Sequence, residues 1–161
     1  MGVGKSYWGA QLAAALGYPF VDLDDSISRA AGGRSIPEIF EAEGEAEFRF
    51  REAQQLNLLI NTKTQFVMAC GGGTPCFLNN LDLMKAAGLT IWLLAEPTEL
   101  LPRLVAEKSK RPLLSKLSED EIEALILEKM DKRNFYYQQA DRSVRVSNLH
   151  LSALLEQLRH E

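Results

Sequence analysis

Apolar and polar positions alternate along this chain in two rhythms that repeatedly trade places. KSYWGAQLAAAL, residues 5–16, reads as a helix that opens directly out of a glycine run. PFVDLD, residues 19–24, is a short β run ending in acids. SIPEIFEAEG begins with Ser35 and Glu38 at capping-box spacing, with Pro37 tolerated in the first helical turn. EAEFRFREAQQLNLLI then carries Phe48, Leu56, Leu59 and Ile60 at helical spacing. QFVMAC, residues 65–70, is a strand running into three glycines, and a helix through LDLMKAAG follows. LTIWLL, residues 89–94, is a nearly unbroken apolar run, as expected of a strand covered on both faces. PTELLPRLVAEK is the next helix, and the basic KSKRPLLSKL interrupts the pattern. Ser118 and Glu121 form a second capping box, opening a long helix to about Gln139. RSVRVS is the last strand and HLSALLEQLRH the last helix.

This alternation predicts an α/β protein with a parallel sheet and helices on both faces. In such sheets ligands bind at the carboxyl ends of the strands. Three chemically loaded segments fall at strand ends or at the glycine loop: MGVGKS at the start, then DLDD, then CGGGT. Their coincidence carries more information than any one of them.

Composition narrows the chemistry. The 161 residues suffice for one domain with a sizeable core. A net charge of −4 argues against a general nucleic-acid or membrane-surface binder, so bound anions must be met by individually placed cations. No stretch approaches the ~20 apolar residues of a membrane span. Cys70 and Cys76 match neither a zinc pattern nor a disulfide framework and read as reduced thiols of a cytosolic protein. The two histidines, His150 and His160, lie near the end of the chain, which leaves little room for a Ser-His-Asp triad.

MGVGKS has the second half of a phosphate-binding loop. Gly2 and Gly4 would turn backbone N–H groups inward, Lys5 would reach the β- and γ-phosphates, and the Ser6 hydroxyl would ligate magnesium. The competing reading is a chance run of glycines at a chain start. On a strand, Asp22 and Asp24 would point to the same side, one serving a metal and the other taking a proton from a hydroxyl; alternatively these acids cap the next helix. Arg49 and Glu52 share a helical face. Spacing leaves open whether they form a surface ion pair or an arginine aimed at a substrate carboxylate and oriented by the glutamate. Gly71, Gly72 and Gly73 before Thr74 exceed what a tight turn with positive φ needs, which favours close approach of a ligand to the backbone. Lys108, Lys110 and Arg111 read either as solvated surface or as a lid bringing Arg111 to a transferring phosphoryl group. Arg133 is an anion contact or a cation placed favourably near a helix end.

In order, MGVGKS, FVDLDDSI, GRSIPEIFEAEGEAEFRFRE, CGGGT, KRPLL and KRNFYY resemble the shikimate kinase family, small P-loop kinases, over residues 1 to about 137. The resemblance implies a single three-layer P-loop NTPase domain over 1–161, with a substrate-binding helical region at about 25–62 and a lid at about 107–118. It implies transfer of the ATP γ-phosphoryl group to the 3-hydroxyl of shikimate, with magnesium, in aromatic amino-acid biosynthesis. Gly2, Val3, Gly4, Lys5, Ser6, Tyr7 and Arg111 would serve the nucleotide, and Ser6 and Asp22 the metal. Asp24, with Lys5 and Arg111, would be catalytic; Asp24, Arg49, Gly71, Gly72, Gly73 and Arg133 would bind shikimate. A cytoplasmic monomer acting on small molecules, with no nucleic-acid or membrane partner, is implied with it. The chain departs from the family at Asn134–Tyr136, where Pro-Leu-Tyr is usual, and at Leu104, where an arginine near adenine is common.

The family's first strand and first loop glycine would precede residue 1. The expectation is therefore that Met1 is an internal methionine of a longer chain. Rival readings are another small P-loop kinase, of gluconate or of a nucleoside monophosphate, and a non-catalytic nucleotide-binding module.

Overall fold

The computed structural model describes residues 2–110 and 114–158. Its elements run α1 (Lys5–Leu16), β1 (Phe20–Asp22), α2 (Leu23–Ala30), α3 (Ile36–Thr62), β2 (Val67–Ala69), α4 (Asn80–Ala87), β3 (Ile91–Leu94), α5 (Pro97–Ala106), α6 (Glu119–Tyr137), β4 (Arg142–Arg145) and α7 (Leu151–Glu156), with a 3-10 turn over Thr74–Cys76. The order agrees with the alternation in the sequence. Both capping boxes form: Ser35 and Glu38 open α3, and Ser118 and Glu121 open α6. α3 is not continuous, because Gly44 at φ 81° and ψ 171° breaks it between the two helical segments of the sequence pattern. α1 is closed by Gly17 in the left-handed region, with its N–H on the carbonyl of Ala14.

All described strand pairing is parallel. β1 pairs with β2, Asp22 standing opposite Ala69, and β3 pairs with β4 from Ile91–Arg142 to Leu94–Arg145. Among the described residues these are two separate two-stranded sheets rather than one continuous sheet. The LTIWLL run was expected to be covered on both faces, but every residue of β3 is only half-buried. Among the described residues, β3 has a paired neighbour on one edge alone. At its start Thr90 donates through both its N–H and its hydroxyl to Asp141, 2.9 and 2.6 Å, which fixes the β3–β4 register.

The core is divided in the same way. Val21, Leu23, Ile27, Ile39, Phe48, Leu56 and Leu59 gather between β1, α2 and α3, while Leu100, Leu104, Leu114, Ile122 and Ile126 join α5 to α6. A third group, Leu12, Val144 and Leu154, ties α1 and α7 to β4. The β1–β2 register brings the acidic end of β1 beside the glycine run that follows β2. That juxtaposition is the foundation of the site.

Candidate active site

β1 stops two residues earlier than the acidic pattern implied. Asp22 is its last residue, and one of its oxygens accepts a hydrogen bond from the Asp24 N–H at 3.0 Å, so Asp22 N-caps α2. Asp24 therefore lies in the first turn of α2, not on the strand beside Asp22. The capping bond outcompetes continued β pairing because it satisfies a helix-end donor that would otherwise be orphaned. The other Asp22 oxygen accepts the Ser6 hydroxyl at 2.6 Å. Two hard oxygen ligands thus stand together at the start of α1. That suits magnesium, which keeps waters and substrate phosphates in its shell and takes few protein ligands.

Asp24 is mostly buried, and its carboxyl is pushed above the ordinary range chiefly by that burial. The neighbouring Asp22 and Glu52 carboxylates add to the effect, while Lys5 opposes it. Lys5 is the first residue of α1, directly after Gly4 at φ 87°. Gly2 sits at φ 70° against Leu104, which is fully buried, and the Arg103 guanidinium donates to the Gly2 carbonyl at 3.5 Å. Leu104 is thus core support for the loop. Val3 packs on the α5–α6 cluster, and Tyr7 is exposed with its ring edge-on to Trp8.

On the facing side, Arg49 and Glu52 are no surface pair. Glu52 is 1% exposed and holds Arg49 Nη1 at 2.8 Å with one oxygen; its other oxygen accepts the Thr74 hydroxyl at 2.6 Å. The Arg49 guanidinium also sits over three rings, Phe77 at 4.3 Å, Phe48 at 5.1 Å and Phe40 at 5.7 Å. Its planar donor fork is thereby fixed in place, the arrangement required for bidentate capture of a carboxylate.

The glycine run explains itself at this point. None of Gly71, Gly72 and Gly73 has a positive φ, so the turn does not demand glycine. Space does. A Cβ on Gly73 would stand 2.7–2.9 Å from the Arg49 guanidinium, and one on Gly72 would stand 2.8 Å from Arg133 Nη1 and 3.1 Å from the Tyr137 hydroxyl. A Cβ on Gly71 would be 3.3 Å from both Asp24 and Glu52 carboxylate oxygens. Each glycine is pressed against one of the side chains proposed for the acceptor.

The structure therefore brings together Lys5, Ser6, Asp22, Asp24, Arg49, Gly71, Gly72, Gly73 and Arg133 around the ends of β1 and β2. Arg111, the lid arginine of the sequence reading, lies outside the described residues. The sequence reading missed Tyr137, whose hydroxyl donates to the Gly72 carbonyl at 2.6 Å while its ring tilts against Trp92. The available signal was its place one turn after Arg133. It also gave no role to Thr74, whose hydroxyl completes the Glu52 site and whose carbonyl is held by the buried Asn80 at 2.9 Å. Cys70 is half-buried against the β1–α3 core, and desolvation pushes its thiol up to about 12, which makes it an inert group; Cys76 is half-buried as well, and burial raises its pKa too. Among the described residues, no helix is long and apolar enough to cross a membrane.

Comparison with known proteins points to one family. The shikimate kinase family model matches residues 1–160. A shikimate kinase of Azobacteroides pseudotrichonymphae is 35% identical over 158 residues, covering 98% of this chain and 92% of its own. The crystal structure of a shikimate kinase from Bacteroides thetaiotaomicron superposes with a TM-score of 0.92 at 31% identity, covering 99% of this chain and 94% of that one. One from Acinetobacter baumannii, solved in complex with shikimate, gives a TM-score of 0.83 at 31% identity over 99% of this chain and 86% of that one.

Proposed function

The chain belongs to the shikimate kinase family, and on that premise we propose that it moves the γ-phosphoryl group of ATP to the 3-hydroxyl of shikimate. The observation that carries the assignment of residues is the packing of Gly71, Gly72 and Gly73 against Asp24 and Glu52, Arg133, and Arg49 in turn. Such packing supports a pocket for a small acid bearing hydroxyls, with arginines for its carboxylate and a carboxylate for its hydroxyls.

In this reading Arg49 and Arg133 hold the acceptor carboxylate, and the Gly72–Gly73 backbone forms the pocket wall. Asp24 accepts the proton of the attacking hydroxyl as its oxygen bonds to the γ-phosphorus and the bond to the ADP oxygen breaks. A carboxyl with a raised pKa is suited to that task, being a stronger base than an exposed aspartate. Lys5 and the N-terminus of α1 receive the phosphate oxygens, and Ser6 and Asp22 would hold magnesium. When bound, the ion neutralises charge on the phosphate oxygens. Arg111 completes the proposal as a lid cation. A cytoplasmic monomer is part of the same reading and rests on the family alone.

The test is Arg49→Gln. Its shikimate KM is expected to rise by about two orders of magnitude, as for loss of a charged anchor that leaves a buried partner unpaired, while KM for ATP stays within about twofold. Equal effects on both substrates would remove Arg49 from the acceptor side.

A further inference from the structure

The fork of Arg49 carries two glutamates, and they differ. Glu52 is buried, bound also to Thr74, and takes Nη1. Glu45 lies across the Nε–Nη2 edge, one oxygen accepting from both nitrogens at 3.3 and 3.1 Å. That edge presents two donors side by side, the geometry a bound carboxylate uses. Glu45 is 60% exposed against 1% for Glu52, and among the described residues its hydrogen bonds and ion pair are with Arg49. It also directly follows Gly44, the break in α3, so the backbone beside it departs from the helix.

We propose that Glu45 is an internal stand-in for the substrate carboxylate, seated on the Nε–Nη2 edge of Arg49 until shikimate displaces it. This rests on the acceptor-site reading above. Glu45 keeps the Arg49 fork neutralised and flat against Phe77 in the unliganded pocket, and incoming substrate exchanges one carboxylate for another on a preformed edge. The exchange lowers apparent affinity by whatever the Glu45 pair contributes. Lys129 is the other cation whose field Glu45 shares. It is half-buried on α6, one turn before Arg133, and feels the charges of Glu45, Arg49 and Arg133. Burial and Arg133 hold its pKa below the usual lysine range, with Glu45 acting in the opposite direction. Glu45 is a positioning residue in this scheme, acting on substrate only through Arg49.

The experiment is calorimetric titration of shikimate, and separately of its carboxamide, into wild type, Glu45→Gln and Arg49→Gln. An exposed ion pair sets the scale, so Glu45→Gln is expected to bind shikimate about two- to fivefold more tightly, with a difference that shrinks in high salt. Its affinity for the carboxamide, which carries no carboxylate to compete, should be unchanged. Weaker or unaltered shikimate binding by Glu45→Gln, while Arg49→Gln still loses affinity, overturns the stand-in and leaves the acceptor site intact. Unaltered binding by Arg49→Gln overturns the acceptor-site reading itself, and the stand-in with it. Tighter binding of shikimate and carboxamide alike also overturns the proposal, since it points to a general loosening of the pocket. Circular dichroism and melting temperature of Glu45→Gln verify that the compared proteins are equally folded.

Discussion

On the acceptor side of the active site, Arg49 is gripped by Glu45 and Glu52, Glu52 by Thr74, Thr74 by Asn80, and the Gly72 carbonyl by Tyr137. On the nucleotide side, the loop from Gly2 to Ser6 leans more on backbone: two glycines at positive φ and the first turn of α1, with contact to Leu104, one long hydrogen bond from Arg103 and the Ser6 hydroxyl on Asp22. The difference follows the ligands. A small rigid acid offers few contacts, so the protein must supply their geometry in advance, and side chains locked by other side chains do this. A triphosphate brings many charged oxygens that organise N–H groups around themselves, so a glycine loop at a helix N-terminus needs fewer side-chain locks.

The comparison is broken most severely at Asp24. Asp24→Asn is expected to lower kcat by about 10²–10⁴, the usual worth of a positioned general base. It should also melt at or above the wild-type temperature at neutral pH. Burial raises the folded-state pKa, so ionisation costs stability as pH rises through that value, and the asparagine escapes the cost. In acid, where both folded and unfolded aspartates are protonated, the stability difference should vanish. The same sign places the acid limb of the wild-type rate profile at a higher pH than an exposed aspartate would give. A limb at the ordinary carboxylate value would remove Asp24 as the base.

Gly73→Ala sharpens the contrast. A methyl 2.7–2.9 Å from the Arg49 guanidinium must displace the fork, and misplacement on that scale costs about 10²-fold in kcat/KM for shikimate. Nucleotide KM should stay near wild type, because the atoms nearest a methyl on Gly73 all belong to Arg49. Steady-state kinetics with each substrate varied in turn distinguishes the two sides.

Tyr137→Phe is the mildest test. It removes one hydrogen bond to the Gly72 carbonyl, worth about 1 kcal/mol, and should raise shikimate KM about fivefold with little change in kcat. An unchanged KM would mean that the Gly72 backbone is fixed without Tyr137.

Both capping boxes, the order of helices and strands, and the residues gathered around the ends of β1 and β2 were legible in the sequence, because those signals lie within one helical turn or one short motif. The links that fix the site were not. Tyr137 reaches Gly72 across 65 residues and Thr74 reaches Glu52 across 22, and no local spacing encodes either meeting. The i, i+3 spacing of Arg49 and Glu52 gave their common face, but only burial separated an anchored fork from a solvated pair. For Asp24 the acids suggested a strand, while the capping bond of Asp22 began a helix instead. The glycine run was expected to let a ligand approach the backbone; the groups that press on it in the structure are the protein's own Asp24, Glu52, Arg133 and Arg49.

The central claim is that the acceptor pocket selects a hydroxylated carboxylate, and its most direct test is ADP release from ATP and magnesium with shikimate, gluconate or a nucleoside monophosphate as acceptor. The account predicts ADP production with shikimate and only background rates with the other two. Turnover of gluconate or the nucleotide, with none of shikimate, would contradict it.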